Sequence, residues 1–156
     1  MVKFTQDNVT YTLRSAGVLI DKGRVLVQKR KDDKFWALPG GRVELGEQST
    51  VAASRELEEE IGVSGITVQR LLCVAESFFE FKSEKHHQVA FYYMLNAPKD
   101  FKYSNVDEFA GIEVGKNRVY SWLPLKDIEN AALKPDFLRK ELADIGPHIK
   151  HIIECE

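Results

Sequence analysis

Short blocks of apolar residues punctuate the first third of the chain. Ser15–Ile20 and Arg24–Lys29 are apolar or alternating, and Asp21-Lys22-Gly23 separates them. A short polar turn with a glycine between two such runs predicts a hairpin. Phe35–Gly41 (FWALPGG) follows, and Pro39 with the glycine pair predicts a loop. From about Gln48 to Ile61 the period lengthens: Ala52, Ala53, Leu57 and Ile61 recur at helical spacing, and Gly62 suits the left-handed position that closes a helix. Ile66–Ala75 and Gln88–Leu95 are rich in β-branched and aromatic residues and predict two strands, with a third at Arg118–Leu123 before Pro124. From Pro135 onward the chain reads as helical, with Pro135 near the first helical position and Phe137, Leu138 and Leu142 on one face. Ala97–Asn117 is polar and irregular and receives no element. Strands before and after a central helix, with a helix at the end, predict an α/β sandwich.

Composition narrows the class. The chain has 156 residues, 44% hydrophobic and 29% charged, which is ordinary for one globular domain, and no linker or repeat divides residues 1–156. A net charge of −2 lacks the basic excess of a dedicated nucleic-acid binder. The longest apolar run, Val89–Leu95, is far too short to span a bilayer, and MVKFTQDNVTY has no apolar signal core. Two cysteines, Cys73 and Cys155, cannot build a disulfide framework, so a reduced, cytoplasmic protein is expected.

One segment departs from this ordinary background. Gly41–Val63 (GRVELGEQSTVAASRELEEEIGV) holds Glu44, Glu47, Glu56, Glu58, Glu59 and Glu60 against Arg42 and Arg55. On a helix Glu56, Glu59 and Glu60 share one face, where like charges oppose one another. Such a face is either solvated or neutralised by a divalent cation, and an all-oxygen donor set selects Mg²⁺, Mn²⁺ or Ca²⁺. The spacing decides between these. Gly41, five residues, Glu47, seven residues, Arg55-Glu56-Leu57, one residue, Glu59-Glu60, one residue, Gly62-Val63 resembles the Nudix box at every fixed position; a chance match is on the order of one in 10⁹ at average residue usage.

The chain thus resembles the Nudix hydrolases, MutT-like in its complete box, with weaker similarity in RVLVQKR, FWALPGG and VYSWLPLKDI. The resemblance implies an α/β/α sandwich around a mixed β-sheet. It further implies Mg²⁺- or Mn²⁺-dependent cleavage of a nucleoside diphosphate linked to another group. It makes Glu56, Glu59 and Glu60 metal ligands, with the Gly41 carbonyl as a further ligand. Glu47 would stand beside the metal or against Arg55, and Arg55 would orient carboxylates. A glutamate outside full coordination could accept the proton of the attacking water; Glu113 is preferred over Glu108, Asp107 and Glu80.

Lys22, Arg24, Lys29, Arg30, Lys31 and Lys34 could face phosphates or form a charged hairpin surface, and Trp36, Phe78, Phe79 and Phe81 could stack on a base or pack in the core. His86 and His87 point to opposite faces of a strand and do not share an ion. The proline, tyrosine and LLTxRSA-like markers of particular subfamilies are missing, which favours a nucleoside triphosphate, an oxidised one included. The expected partner is a small nucleotide, and a homodimer is compatible with the sequence. The rival reading is a Nudix-fold nucleotide sensor that does not cleave, against which the box is intact.

Overall fold

The computed structural model describes residues Met1–Glu156. Its nine strands are β1 (Lys3–Gln6), β2 (Val9–Asp21), β3 (Arg24–Arg30), β4 (Gly40–Arg42), β5 (Thr67–Phe81), β6 (Glu84–Asn96), β7 (Glu108–Ala110), β8 (Arg118–Pro124) and β9 (Lys150–Cys155). Two α-helices, α1 (Ser49–Ile61) and α2 (Phe137–Ala143), and a 3-10 turn at Leu125–Asn130 complete it. The strands form one mixed sheet in the order β7-β8-β3-β2-β6-β5-β9, with β1 and β4 also paired to β2. β2 runs parallel to β6, and β5 parallel to β9.

Each face of the sheet carries a helix. Ala53, Leu57 and Ile61 of α1 pack with Leu19, Leu26, Tyr93 and Trp122. Leu138 and Leu142 of α2 pack on the other face with Val18, Val25, Val27 and Tyr92. The fold is the expected α/β/α sandwich.

The predicted hairpin, β2–β3, closes through Lys22 and Gly23 alone, both at positive φ, because Asp21 pairs with Arg24. Positive φ at both central residues gives the turn a twist that matches the flanking strands. β5 and β6 are far longer than their apolar runs, because Lys82 and Ser83 (φ 51° and 62°) close another hairpin of this kind. Neither is a glycine or asparagine, so the turn carries no signal in the sequence.

Two expectations are corrected. FWALPGG is not loop throughout: Gly40–Arg42 is β4, antiparallel to Arg14–Ala16. A Cβ at Gly40 would collide with the Ser15 carbonyl and Ala16, so glycine is what lets the two backbones approach. The C-terminal region is not helical throughout either. α2 spans only Phe137–Ala143, Pro135 precedes its cap residue Asp136, and Lys150–Cys155 adds β9 beside Cys73–Phe78. The alternation in KHIIEC has period two, and its pairing with β5 outweighs continuation of the helix.

Candidate active site

α1 is fastened at its first turn to the strands behind it. Ser15 Oγ donates to the Ser49 carbonyl (2.7 Å), and the Ser49 and Tyr93 hydroxyls are 2.6 Å apart. At its far end Gly62 adopts φ 71° and its N–H closes on the Glu58 carbonyl, the glycine cap read from the sequence. Between these anchors, Glu56 reaches back to β4: a Cβ on Gly41 would fall on the Glu56 carboxylate. The first residue of the 23-residue segment therefore meets the middle of its helix in space.

Arg55 lies at the centre of the box. Its Nε and Nη2 donate to the two carboxylate oxygens of Glu47 at 2.5 and 2.9 Å. Nη1 lies 3.1 Å from Glu56 and 3.2 Å from Glu59. The Arg55 hydrogen bonds hold the Glu47 carboxyl below the ordinary carboxylate range, and Glu47 in turn raises the guanidinium. Glu58 takes no part in this network, as its position on the helix requires.

Glu60 occupies a different environment. It is 2% exposed, and the Tyr120 hydroxyl donates to its Oε2 at 2.7 Å. Burial pushes its carboxyl up to about 7, against the Tyr120 hydrogen bond and the charge of Arg118, which pull it down. The backbone N–H of Ile112 donates to the Glu60 carbonyl (2.9 Å), tying the loop after β7 to the end of α1. Glu113 stands on that loop among Glu60, Lys116, Arg118 and Tyr120, paired with Lys116 at 2.6 Å. The other candidate bases are elsewhere: Asp107 lies 3.6 Å from Arg24 with its side chain fully exposed, Glu108 pairs across to Ser121, and Glu80 pairs across to Lys85 near the β5–β6 turn. Tyr120 and Arg118 belong to no motif; the alternation of RVYSW puts both on one face of β8, the only signal the sequence carries for them.

A cavity of about 400 Å³ opens on the α2 face of the sheet, lined by Phe78, Phe79 and Tyr92 with Arg14, Gln88 and Asp136 among its polar groups. Ala37 also lines it. From Ala37 to Gly41 is four residues, so at most about 14 Å of chain separates cavity and box. Trp36 lies instead beneath the Lys29 ammonium, and Phe81 is exposed near the β5–β6 turn. His86 stacks on Phe79 and His87 on Phe78. Of the basic stretch, Lys22 bonds Asn105, Arg24 bonds the Ser104 carbonyl, and Arg30 and Lys31 border a separate cleft.

The donor chemistry fits a hard divalent cation. Glu47, Glu56 and Glu59 already converge on one positive charge, that of Arg55, and the Gly41 backbone lies against Glu56. No three carboxylates stand close enough in these rotamers to ligate an ion without Arg55 between them. For an ion to enter, Glu56 or Glu59 would have to turn from the guanidinium.

The family model described as NUDIX domain matches residues 11–145. The chain is 24% identical over 123 residues to an 8-oxo-dGTP diphosphatase of Buchnera aphidicola, covering 76% of this chain and 82% of that protein. It is 37% identical over 67 residues to a dihydroneopterin triphosphate diphosphatase of Escherichia coli, a local match spanning 42% of this chain and 45% of that one. Among solved structures, a MutT NUDIX hydrolase from Burkholderia pseudomallei is 26% identical with a TM-score of 0.60, over 86% of this chain and 98% of that chain.

Proposed function

This chain belongs to the NUDIX family of hydrolases, and on that premise we propose that it cleaves a diphosphate linkage of a nucleoside triphosphate with Mg²⁺ or Mn²⁺. The observation that carries the reading is the convergence of Glu47, Glu56 and Glu59 on a single cationic centre beside Gly41. Three carboxylates sharing one positive charge are a donor set that a divalent cation could take over once Glu56 or Glu59 turns from Arg55. Glu56, Glu59 and Glu60, with the Gly41 carbonyl, would hold the ion, and Glu47 would keep Arg55 in place. Bound there, a divalent cation would offset the phosphate charge and make a nearby water more acidic.

The remaining work belongs to this chain's own side chains. Arg55 fixes the directions of the carboxylates around it. Tyr120 holds Glu60 from behind through its hydroxyl. Glu113, kept at the site by Lys116, is the group assigned to accept the proton of the attacking water, because it alone among the candidate bases stands beside Glu60. The cavity lined by Phe78 and Tyr92 has the size and mixed lining of a small-molecule site and would take the base. Both relatives named above carry a triphosphate in the name of what they act on, which favours that class over nucleotide sugars. A sensor that binds without cleaving has no need of the complete glutamate set found here.

The test is a screen of nucleoside triphosphates, diphosphates and nucleotide sugars, in Mg²⁺ and in excess EDTA, read as release of mononucleotide and pyrophosphate. Hydrolysis of a triphosphate in Mg²⁺ alone is expected. Full activity in EDTA, or no cleavage of any nucleotide, would overturn the reading.

A further inference from the structure

Beyond Glu113 the surface changes sign. Arg30 and Lys31 at the end of β3 and Lys116 and Arg118 at the start of β8 border a cleft of about 640 Å³ with no apolar side chain in its walls. Asp32 and Asp33 complete the charged lining, so four cations face two carboxylates. The walls are fixed by backbone: the Lys31 N–H donates to the Asn117 carbonyl at 3.1 Å. Arg30 and Arg118 are direct cross-strand partners. Like charges placed opposite one another destabilise a sheet, and Lys31 and Lys116 add to the concentration. Acids offset it only in part: Lys116 is paired with Glu113 and one Asp33 oxygen accepts from the Arg30 N–H, while the Arg30, Lys31 and Arg118 side chains have no carboxylate partner. Arg118 spends one Nη1 bond on Gln28, and its buried Nε has no partner. An anion is the ligand this lining calls for.

Position identifies which anion. Lys116 and Arg118 line both this cleft and the small crevice holding Glu60, Glu113 and Tyr120. The cleft therefore begins where the proposed reaction site ends. Polar walls without aromatic rings suit phosphate rather than a base or sugar. We propose that this cleft binds the distal phosphates of the substrate, the oligophosphate end remote from the nucleoside. The inference rests on the hydrolase reading above and extends it: substrates with a charged tail are preferred to those ending at the second phosphate.

The direct test is calorimetric titration of inorganic tripolyphosphate into the full chain in EDTA, so that cation-mediated binding is excluded. Lys31→Ala/Lys116→Ala should bind about tenfold more weakly than the parent, the scale of a lost charge-assisted contact. Lys99→Ala/Lys126→Ala removes two exposed lysines elsewhere and should change binding less than about twofold. A second readout is the ratio of kcat/KM for a nucleoside triphosphate to that for the diphosphate, which should fall about tenfold in the cleft variant. Equal tripolyphosphate binding by parent and cleft variant, or equal losses in both lysine pairs, would overturn the proposal. Tripolyphosphate binding lost only in the cleft variant supports the cleft even if no nucleotide is hydrolysed, an outcome that sinks the hydrolase reading alone. Hydrolysis with an unchanged substrate ratio sinks the cleft alone.

Discussion

The Tyr120 hydroxyl donates a 2.7 Å hydrogen bond to Glu60 Oε2 in the interior, joining β8 to the last turn of α1. The ring is itself fully buried, so Tyr120→Phe keeps the packing and deletes one donor. A buried carboxyl left short of a partner costs about 1–3 kcal/mol. The expected result is a lower thermal midpoint in EDTA with an unchanged circular dichroism spectrum. An unchanged midpoint would mean that the hydroxyl bond contributes nothing.

Glu60 also sets a pH dependence. Its folded carboxyl titrates near 7, against 4.5 in an unfolded chain. The metal-free folded protein therefore keeps a proton that the unfolded chain has released. That contribution to stability is fully present below pH 4.5 and is lost as pH rises through 7. Chelated parent should lose stability between pH 5 and pH 8 relative to Glu60→Gln, which has no proton to lose. Parallel melting curves for the two proteins across that range would contradict the burial argument.

Arg55 supplies the positive charge among three carboxylates, so Arg55→Ala should destabilise the chelated protein more than a surface substitution does. Adding Mg²⁺ should narrow the gap between variant and parent, because the ion takes over the neutralisation. Thermal melts of both proteins in EDTA and in Mg²⁺ measure this. A gap of the same size in both buffers would show that Arg55 is purely structural.

Neighbouring glutamates on α1 should behave differently. Glu59 contacts Arg55 at 3.2 Å, whereas Glu58 stands outside the network. Glu59→Gln is expected to lower kcat by roughly 10²-fold, the scale of losing one preorganised electrostatic contact. Glu58→Gln should stay near the parent. Equal losses would place the wrong helix face at the cation.

Features carried by local pattern were legible in the sequence. α1, its Gly62 cap and the β2–β3 hairpin follow from spacing and turn residues, and β8 from an alternating apolar run. What escaped depends on contacts remote in sequence. β4 exists because Gly40 lets Ala16 approach, and β9 because β5 offers it an edge. The β5–β6 hairpin closes on Lys82-Ser83, a pair without the glycine, asparagine or aspartate that such positive-φ turns favour. In the site, the box residues could be named from their spacing. The Tyr120–Glu60 bond and the placement of Glu113 required the fold, since both join α1 to residues more than fifty positions downstream. The arginine-centred arrangement of Glu47, Glu56 and Glu59 follows from packing that no motif records.

The central claim is that the box carboxylates form a cation site, and thermal melts of the parent and Glu59→Gln, in EDTA and across a Mg²⁺ series at constant ionic strength, test it most directly. Glu59 is exposed, and its pair with Arg55 contributes at most about 1 kcal/mol. Its removal also relieves repulsion from Glu56 and Glu60. The account predicts that the variant melts close to or above the parent in EDTA and gains much less from Mg²⁺. A clear drop in the metal-free midpoint with an undiminished response to Mg²⁺ would contradict it.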